Sequence, residues 1–256
     1  MEYIDTHSHI YLEQFDNDRD IIINKAIDNG INKMVLPNID KESIELILNL
    51  AKKYPCNIYP LIGLHPTHVK EDYKEQLDLL YKYLNKEIFN GIGEVGIDLY
   101  WDKTFFNEQK IAFKEQIKWS KEQEMPLIIH SRSSFNEIYE IIKQEQDGNL
   151  YGIFHCFSGN CDEAEKIIDL GFHLGIGGVI TFKNSGLDIA IKNIDLKNIV
   201  LETDSPYLAP TPFRGQRNES SYLNIIANKI AEVKNIDLNK VVEITTNNAK
   251  QIFNIK

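Results

Sequence analysis

Short apolar runs alternate with longer amphipathic stretches along the whole chain. The runs Tyr3–Thr6, Lys33–Leu36, Ile58–Ile62, Gly91–Val95, Leu127–Ile129, Tyr151–Phe154, His173–Ile176 and Ile199–Glu202 read as strands. Between them lie the helical patterns Asp18–Asn29, Lys41–Tyr54, Asp72–Lys86, Phe106–Gln123, Ser134–Glu145, Cys161–Asp169 and Leu187–Ile191. Ser221–Val233 and Leu238–Thr246 follow the last run and are also helical. Strands that alternate with helices form parallel βαβ units. Eight of them in 256 residues suit a closed barrel, which takes about 250 residues. The pattern predicts an α/β fold, a single (β/α)8 TIM barrel, over one domain spanning 1–256.

Composition narrows the class. Apolar residues make up 43% of the chain and charged residues 26%, values of a globular protein rather than a disordered or membrane one. The net charge is −10, so no basic face of the kind that grips long duplex DNA is forced. Bound cations and a few local arginines can still handle a nucleic acid. Cys56, Cys156 and Cys161 form no C-x-x-C pair, and the chain runs directly into Glu2-Tyr3-Ile4 with no apolar leader. A reducing, cytoplasmic setting is expected, with no membrane span and no obligate protein partner.

Polar residues cluster where the strand-like runs stop. His7 and His9 follow the first run, His65 the third, and His130 and His155 the fifth and sixth; Glu94 and Asp204 mark the fourth and eighth. All strand C-termini of a barrel open onto one face, which carries the active site. In extended chain, alternate side chains share a face, so His7 and His9 can address one cation while Ser8 points away. Glu94 sits in the apolar, glycine-rich stretch Gly91-Ile92-Gly93-Glu94-Val95-Gly96, where a carboxylate is costly unless paired or coordinated. It can bridge two cations, or form a buried ion pair with a basic side chain. Glu202 and Asp204 share a face and need cations or a shared proton. Asp204 reads as a metal ligand and general base, and Glu202 as a supporting or substrate-contacting group. Cys156 reads as a packed thiol, and His68 and His173 as structural.

Arg214 and Arg217, in the loop after the eighth run, can clamp a phosphate; alternatively Arg217 pairs with Glu219. His65 and Arg132 have similar positions and can also meet a phosphate oxygen. Trp101, Tyr100 and Phe105 could stack on a base, although loop packing is the simpler account. Gly175-Ile176-Gly177-Gly178 lacks the pattern of a nucleotide-binding loop.

Six segments, taken in order, resemble the TatD-type deoxyribonucleases, a group within the amidohydrolase-like barrels. They are His7-Ser8-His9, Gly93-Glu94-Val95-Gly96-Ile97-Asp98, Ile129-His130-Ser131-Arg132, His155-Cys156-Phe157-Ser158-Gly159, Glu202-Thr203-Asp204-Ser205-Pro206 and Arg214-Gly215-Gln216-Arg217-Asn218-Glu219. The resemblance covers the chain from about residue 2 onward. It departs at Ser220, where the family often has proline. It implies a metal-dependent hydrolase barrel with His7, His9, Glu94, His130, His155 and Asp204 as metal ligands. It also implies nuclease action on DNA, as a 3′–5′ exonuclease.

The expected enzyme is thus a hydrolase of ester bonds that uses two divalent cations, Zn, Mn or Mg, to activate a water. Glu94 and Asp204 would be catalytic; His65, Arg132, Glu202 and Arg214 would hold substrate. The expected partner is DNA, single-stranded or at 3′ ends. Hydrolysis of amides or esters such as aminoacyl esters, or of small phosphodiesters, would use the same site. A metal binder without catalysis would need neither the Glu202–Asp204 pair nor an arginine-bearing loop.

Overall fold

The structure is a computed structural model that describes residues 1–255. Eight strands run β1 (Tyr3–Asp5), β2 (Ile31–Leu36), β3 (Ile58–Pro60), β4 (Ile92–Asp98), β5 (Leu127–Arg132), β6 (Gly152–Phe154), β7 (Phe172–Ile176) and β8 (Ile199–Leu201). Among the described residues nine α-helices follow the same order: α1 (Arg19–Asp28), α2 (Ser43–Lys53), α3 (Tyr73–Leu84), α4 (Phe106–Gln123), α5 (Phe135–Glu145), α6 (Cys161–Asp169), α7 (Leu187–Ile191), α8 (Leu223–Lys234) and α9 (Leu238–Phe253).

Every strand pair is parallel, in the order β1-β2-β3 and β4-β5-β6-β7-β8. Two seams close the ring. Between β3 and β4, Ile62 N–H donates to Gly91 O and Gly93 N–H to Ile62 O, at 3.2 and 2.9 Å. Between β8 and β1, Thr6 N–H donates to Leu201 O and Asp204 N–H to His7 O, at 3.0 and 2.9 Å. These seams join the two sheets into a closed (β/α)8 barrel.

Two apolar layers hold it. The larger lies between strands and helices, as with Met34, Leu36 and Ile97 against Ile44, Ile47 and Phe113. The smaller fills the barrel from below: Ile4, Val35, Leu61, Ile128, Ile153 and Val200 meet Ala249, Ile252 and Phe253 of α9. Removing Phe253's ring would cost about 3–5 kcal/mol, the usual loss for a buried Phe→Ala change.

That smaller layer sets the site. Side chains alternate along a strand, so the residue two positions beyond each inward apolar group faces the same interior one layer higher. Ile128, Ile153 and Val200 are followed at that spacing by His130, His155 and Glu202.

Several elements run past their expected ends: β5 continues to Arg132 rather than stopping at Ile129, and β2 starts at Ile31 rather than Lys33. β4 extends to Asp98 rather than stopping at Val95, and α9 reaches Phe253 rather than Thr246. The extra turns of α9 contribute the residues that plug the barrel floor.

Candidate metal centre at the barrel mouth

Glu94 organises the mouth of the barrel. It is 2% exposed, and its two carboxylate oxygens face different partners. Oε2 lies 3.1 Å from His7 Nε2 and 3.3 Å from His9 Nε2. Oε1 lies 2.7 Å from His155 Nε2, 2.8 Å from His130 Nδ1 and 3.2 Å from His65 Nε2. Asp204 completes the first group, with Oδ1 at 3.5 Å from His9 Nε2 and 3.8 Å from His7 Nε2.

Hydrogen bonds on the far side of each ring decide which nitrogen offers a lone pair. Tyr11 donates its hydroxyl to Pro37 O at 2.7 Å, so it accepts from His9 Nδ1–H at 2.9 Å. In the neutral ring that a cation would bind, His9 Nε2 carries the lone pair, aimed at the cluster. Asp98 Oδ2 accepts from His130 Nε2–H at 2.9 Å, which leaves the His130 Nδ1 lone pair facing Glu94. Outer partners of this kind are how proteins orient metal-binding imidazoles. Lone pairs pointing at a carboxylate are repulsive unless a positive charge sits among them.

His65 has the opposite polarity. Its Nδ1 accepts from Thr67 N–H at 3.1 Å, so its neutral ring carries the proton on Nε2, towards Glu94. Burial holds its pKa down to about 4, against the pull of Glu94, and keeps it neutral. His65 thus offers the cavity a donor, whereas His9 and His130 would offer lone pairs once a cation displaces their second protons.

Charge within the cluster follows from the same contacts. Burial opposes ionisation of Glu94, but His155, His65 and His7 hold it well below the usual carboxylate range. Burial likewise opposes protonation of His9, yet bonds to Asp204 and Glu94 raise it to about 9. His155 is raised well above its ordinary value, against its burial, by Glu94 and Glu202. His7 moves down, mainly through burial. A divalent cation would compete with these protons, so loading one releases protons.

The donor set fits such a cation. His7, His9 and Glu94 bring ligand atoms within 4.8 Å of one another; so do His7, His155 and Asp204. His65 Nε2 stands equally near Glu94 and His130, but it points a proton into the group rather than a lone pair. Imidazole with carboxylate suits first-row divalent metals. Above the cluster opens a cavity of about 780 Å³, lined among others by His65, Asp98, Trp101, His130, Arg132 and Asp204.

The residues expected from sequence are distributed as follows. His7, His9, His65, Glu94, His130, His155 and Asp204 converge, and Arg132 joins them at the cavity wall. Glu202 and Arg214 stay outside. Glu202 is fully buried behind His155, where Oε1 accepts from Cys156 N–H at 2.5 Å. Arg214 lies over the Phe182 ring at 4.3 Å. Arg217 does not pair with Glu219. It makes a two-pronged pair with Asp18, at 2.8 and 2.6 Å, while Glu219 pairs with Lys25. Sequence reasoning missed Asp98 and Tyr11 as ring-orienting groups. Both carry a readable signal: Asp98 follows Glu94 at strand period, and Tyr11 follows His9 two residues on.

A parallel barrel with a buried histidine–carboxylate cluster at its C-terminal mouth defines the class as a metal-dependent hydrolase. Residues 4–254 match the family described as TatD related DNase, and the chain belongs to that family. It is 36% identical over 252 residues to the uncharacterised metal-dependent hydrolase YabD of Bacillus subtilis, covering 98% of each chain. The crystal structure of YjjV, a TatD homologue from Escherichia coli, superposes with a TM-score of 0.94 at 28% identity, covering 99% of this chain and 98% of that one. A TatD family hydrolase from Entamoeba histolytica shares the fold, with a TM-score of 0.86 at 21% identity and coverage of 100% and 99%. Among the described residues no helix is long and apolar enough to cross a membrane.

Proposed function

We propose that this chain is a deoxyribonuclease that hydrolyses phosphodiesters at the 3′ ends of single-stranded DNA, with two divalent cations in the Glu94 cluster. The observation that carries the reading is the division of labour on Glu94: Oε2 faces His7 and His9, and Oε1 faces His130 and His155. A carboxylate so placed suits a bridge between two cations. His7, His9 and Asp204 would hold one of them, and His130 and His155 the other. Once bound, they would supply Lewis acidity at the phosphoryl group and make a water nucleophilic near neutral pH.

The chain's own residues do the rest. Asp204 presents a carboxylate to the cavity from within reach of His9 and takes up the proton of the attacking water. His65 donates from Nε2 to a phosphate oxygen, having no lone pair there to bind a cation. Arg132 contributes a fixed positive charge at the wall. Zn, Mn and Mg are all compatible occupants, imidazole favouring the first two. Three free cysteines suit a cytoplasmic setting.

A substrate panel tests the reading. Metal-loaded protein should turn over single-stranded DNA and bis(p-nitrophenyl) phosphate far better than p-nitrophenyl acetate or an aminoacyl ester. A kcat/KM that favours the carboxylic ester or an amide would replace the nuclease reading with an amidohydrolase one.

A further inference from the structure

Aromatic side chains are unevenly placed on this surface. Among the described residues four aromatics are substantially exposed: Tyr81, Tyr100, Trp101 and Tyr207. Tyr81 packs on Trp119. The other three stand at the mouth: Trp101 and Tyr207 line the cavity, and Tyr100 packs edge-on against Trp101 at 5.0 Å. Trp101 is the most open of them, at 68%. A large apolar ring exposed at a cavity rim marks a contact surface better than one scattered elsewhere.

Two of the four arginines pair with carboxylates and two lie over aromatic rings, Arg214 over Phe182 outside the cavity lining and Arg132 at it. Arg19 and Arg217 are held by Asp16 and Asp18. Arg132 instead lies 4.1 Å above the Tyr100 ring and 5.1 Å from Trp101. Stacking fixes the plane of the guanidinium while leaving its N–H fork for a planar or tetrahedral anion.

The aromatic pair is also set rigidly against the metal cluster. Asp98 Oδ1 accepts from Tyr100 N–H at 2.9 Å and Trp101 N–H at 3.1 Å. The same carboxylate holds His130 through Oδ2. The loop is pinned further out by Lys70, which pairs with Asp102 at 3.1 Å and lies over Phe105 at 5.2 Å. The Asp98 carboxylate therefore fixes the aromatic pair relative to a cluster histidine, and the Arg132 guanidinium rests on that pair.

We propose that Trp101 is the base-docking residue of this cavity, receiving an unpaired nucleobase next to the scissile phosphate while Arg132 receives that phosphate. The inference rests on the nuclease reading and sharpens it. A base inside a duplex presents no open face to Trp101, so the geometry selects unpaired ends. Stacking tolerates any base, because every base has a π-face, so selection is for single strands rather than for sequence.

The test compares 5′-labelled oligothymidylates with versions in which a nucleotide flanking the scissile phosphate is an abasic tetrahydrofuran unit. Metal-loaded wild-type protein should favour the complete strand about tenfold in kcat/KM, the scale of one base–aromatic stack. Trp101→Ala should bring that ratio near one, and Trp101→Phe should restore most of it. A second readout needs no turnover. Trp119 is buried, so the exposed indole dominates any ligand-dependent change in fluorescence. A phosphorothioate tetrathymidylate should quench wild-type emission, and its abasic analogue should not. Cleavage of both strands with an equal ratio in wild type and Trp101→Ala, or no quenching, would overturn the inference and leave the nuclease reading standing. No cleavage of either strand by the wild type would overturn both.

Discussion

Asp98 Oδ2 lies 2.9 Å from His130 Nε2, and this contact turns the other nitrogen of His130 towards Glu94. Both faces of one imidazole are thereby assigned, one to a carboxylate that orients it and one to the cluster. Asp98→Ala should weaken divalent-metal affinity by about 10- to 100-fold, the usual effect of removing such an outer partner, with little change in helix content. Competition against a chromogenic chelator measures this. Unaltered affinity would mean that packing alone holds the ring.

Asp5 illustrates a cost of burying a carboxylate beneath the cluster. Burial raises its pKa from 3.8 to about 7, although Thr203 donates to it from both N–H and hydroxyl, at 2.9 and 2.6 Å. The folded state therefore holds this proton more tightly than the unfolded one. Its contribution to stability is complete below about pH 4, declines as pH rises towards 7, and is lost above that. Urea unfolding of metal-free protein between pH 4 and 8 should show the stability of wild type relative to Asp5→Asn falling as pH rises. Equal slopes would contradict it.

Much of the site is legible in the sequence for a geometric reason. His130 and His155 each stand two residues past an inward apolar residue, Ile128 and Ile153, so strand period alone lifts them to the mouth. Asp98 is harder to see because β4 looks finished at Val95. Gly96 interrupts the apolar run, yet it belongs to the strand: its φ is +140°, and a Cβ there would sit 2.1 Å from His130 O. The end of α9 is hidden similarly. Asn248 reads as a helix breaker, but its amide is buried and caps Leu196 O and Ile199 O at 2.8 and 2.7 Å. Nothing local announces that Arg217 pairs with Asp18, 199 positions away in the chain.

Arg132 should leave a signature in salt dependence. If it meets one phosphate, Arg132→Ala should reduce the slope of log affinity against log salt by roughly 0.7 for single-stranded DNA. Anisotropy titrations with a phosphorothioate oligonucleotide at several salt concentrations provide the slope. An identical slope in the variant would remove Arg132 from the phosphate.

Gly175 has no room for a side chain. A Cβ would lie 2.1 Å from Glu202 Oε2 and 3.1 Å from His155 Cα. Gly175→Ala should therefore displace the Glu202 carboxylate and cost about 1–3 kcal/mol, the range for overpacking a filled core. Differential scanning calorimetry should show Tm lowered by several degrees, and an unchanged Tm would show that Glu202 can move freely.

The most direct measurement starts from metal-stripped protein and 5′-labelled single-stranded DNA, with Mg²⁺, Mn²⁺ or Zn²⁺ added separately and Glu94→Ala as control. The expected result is a metal-dependent ladder that shortens from the 3′ end and is absent in Glu94→Ala. An intact strand with every metal, or an equal ladder in the variant, would contradict a DNA-hydrolysing centre built on Glu94.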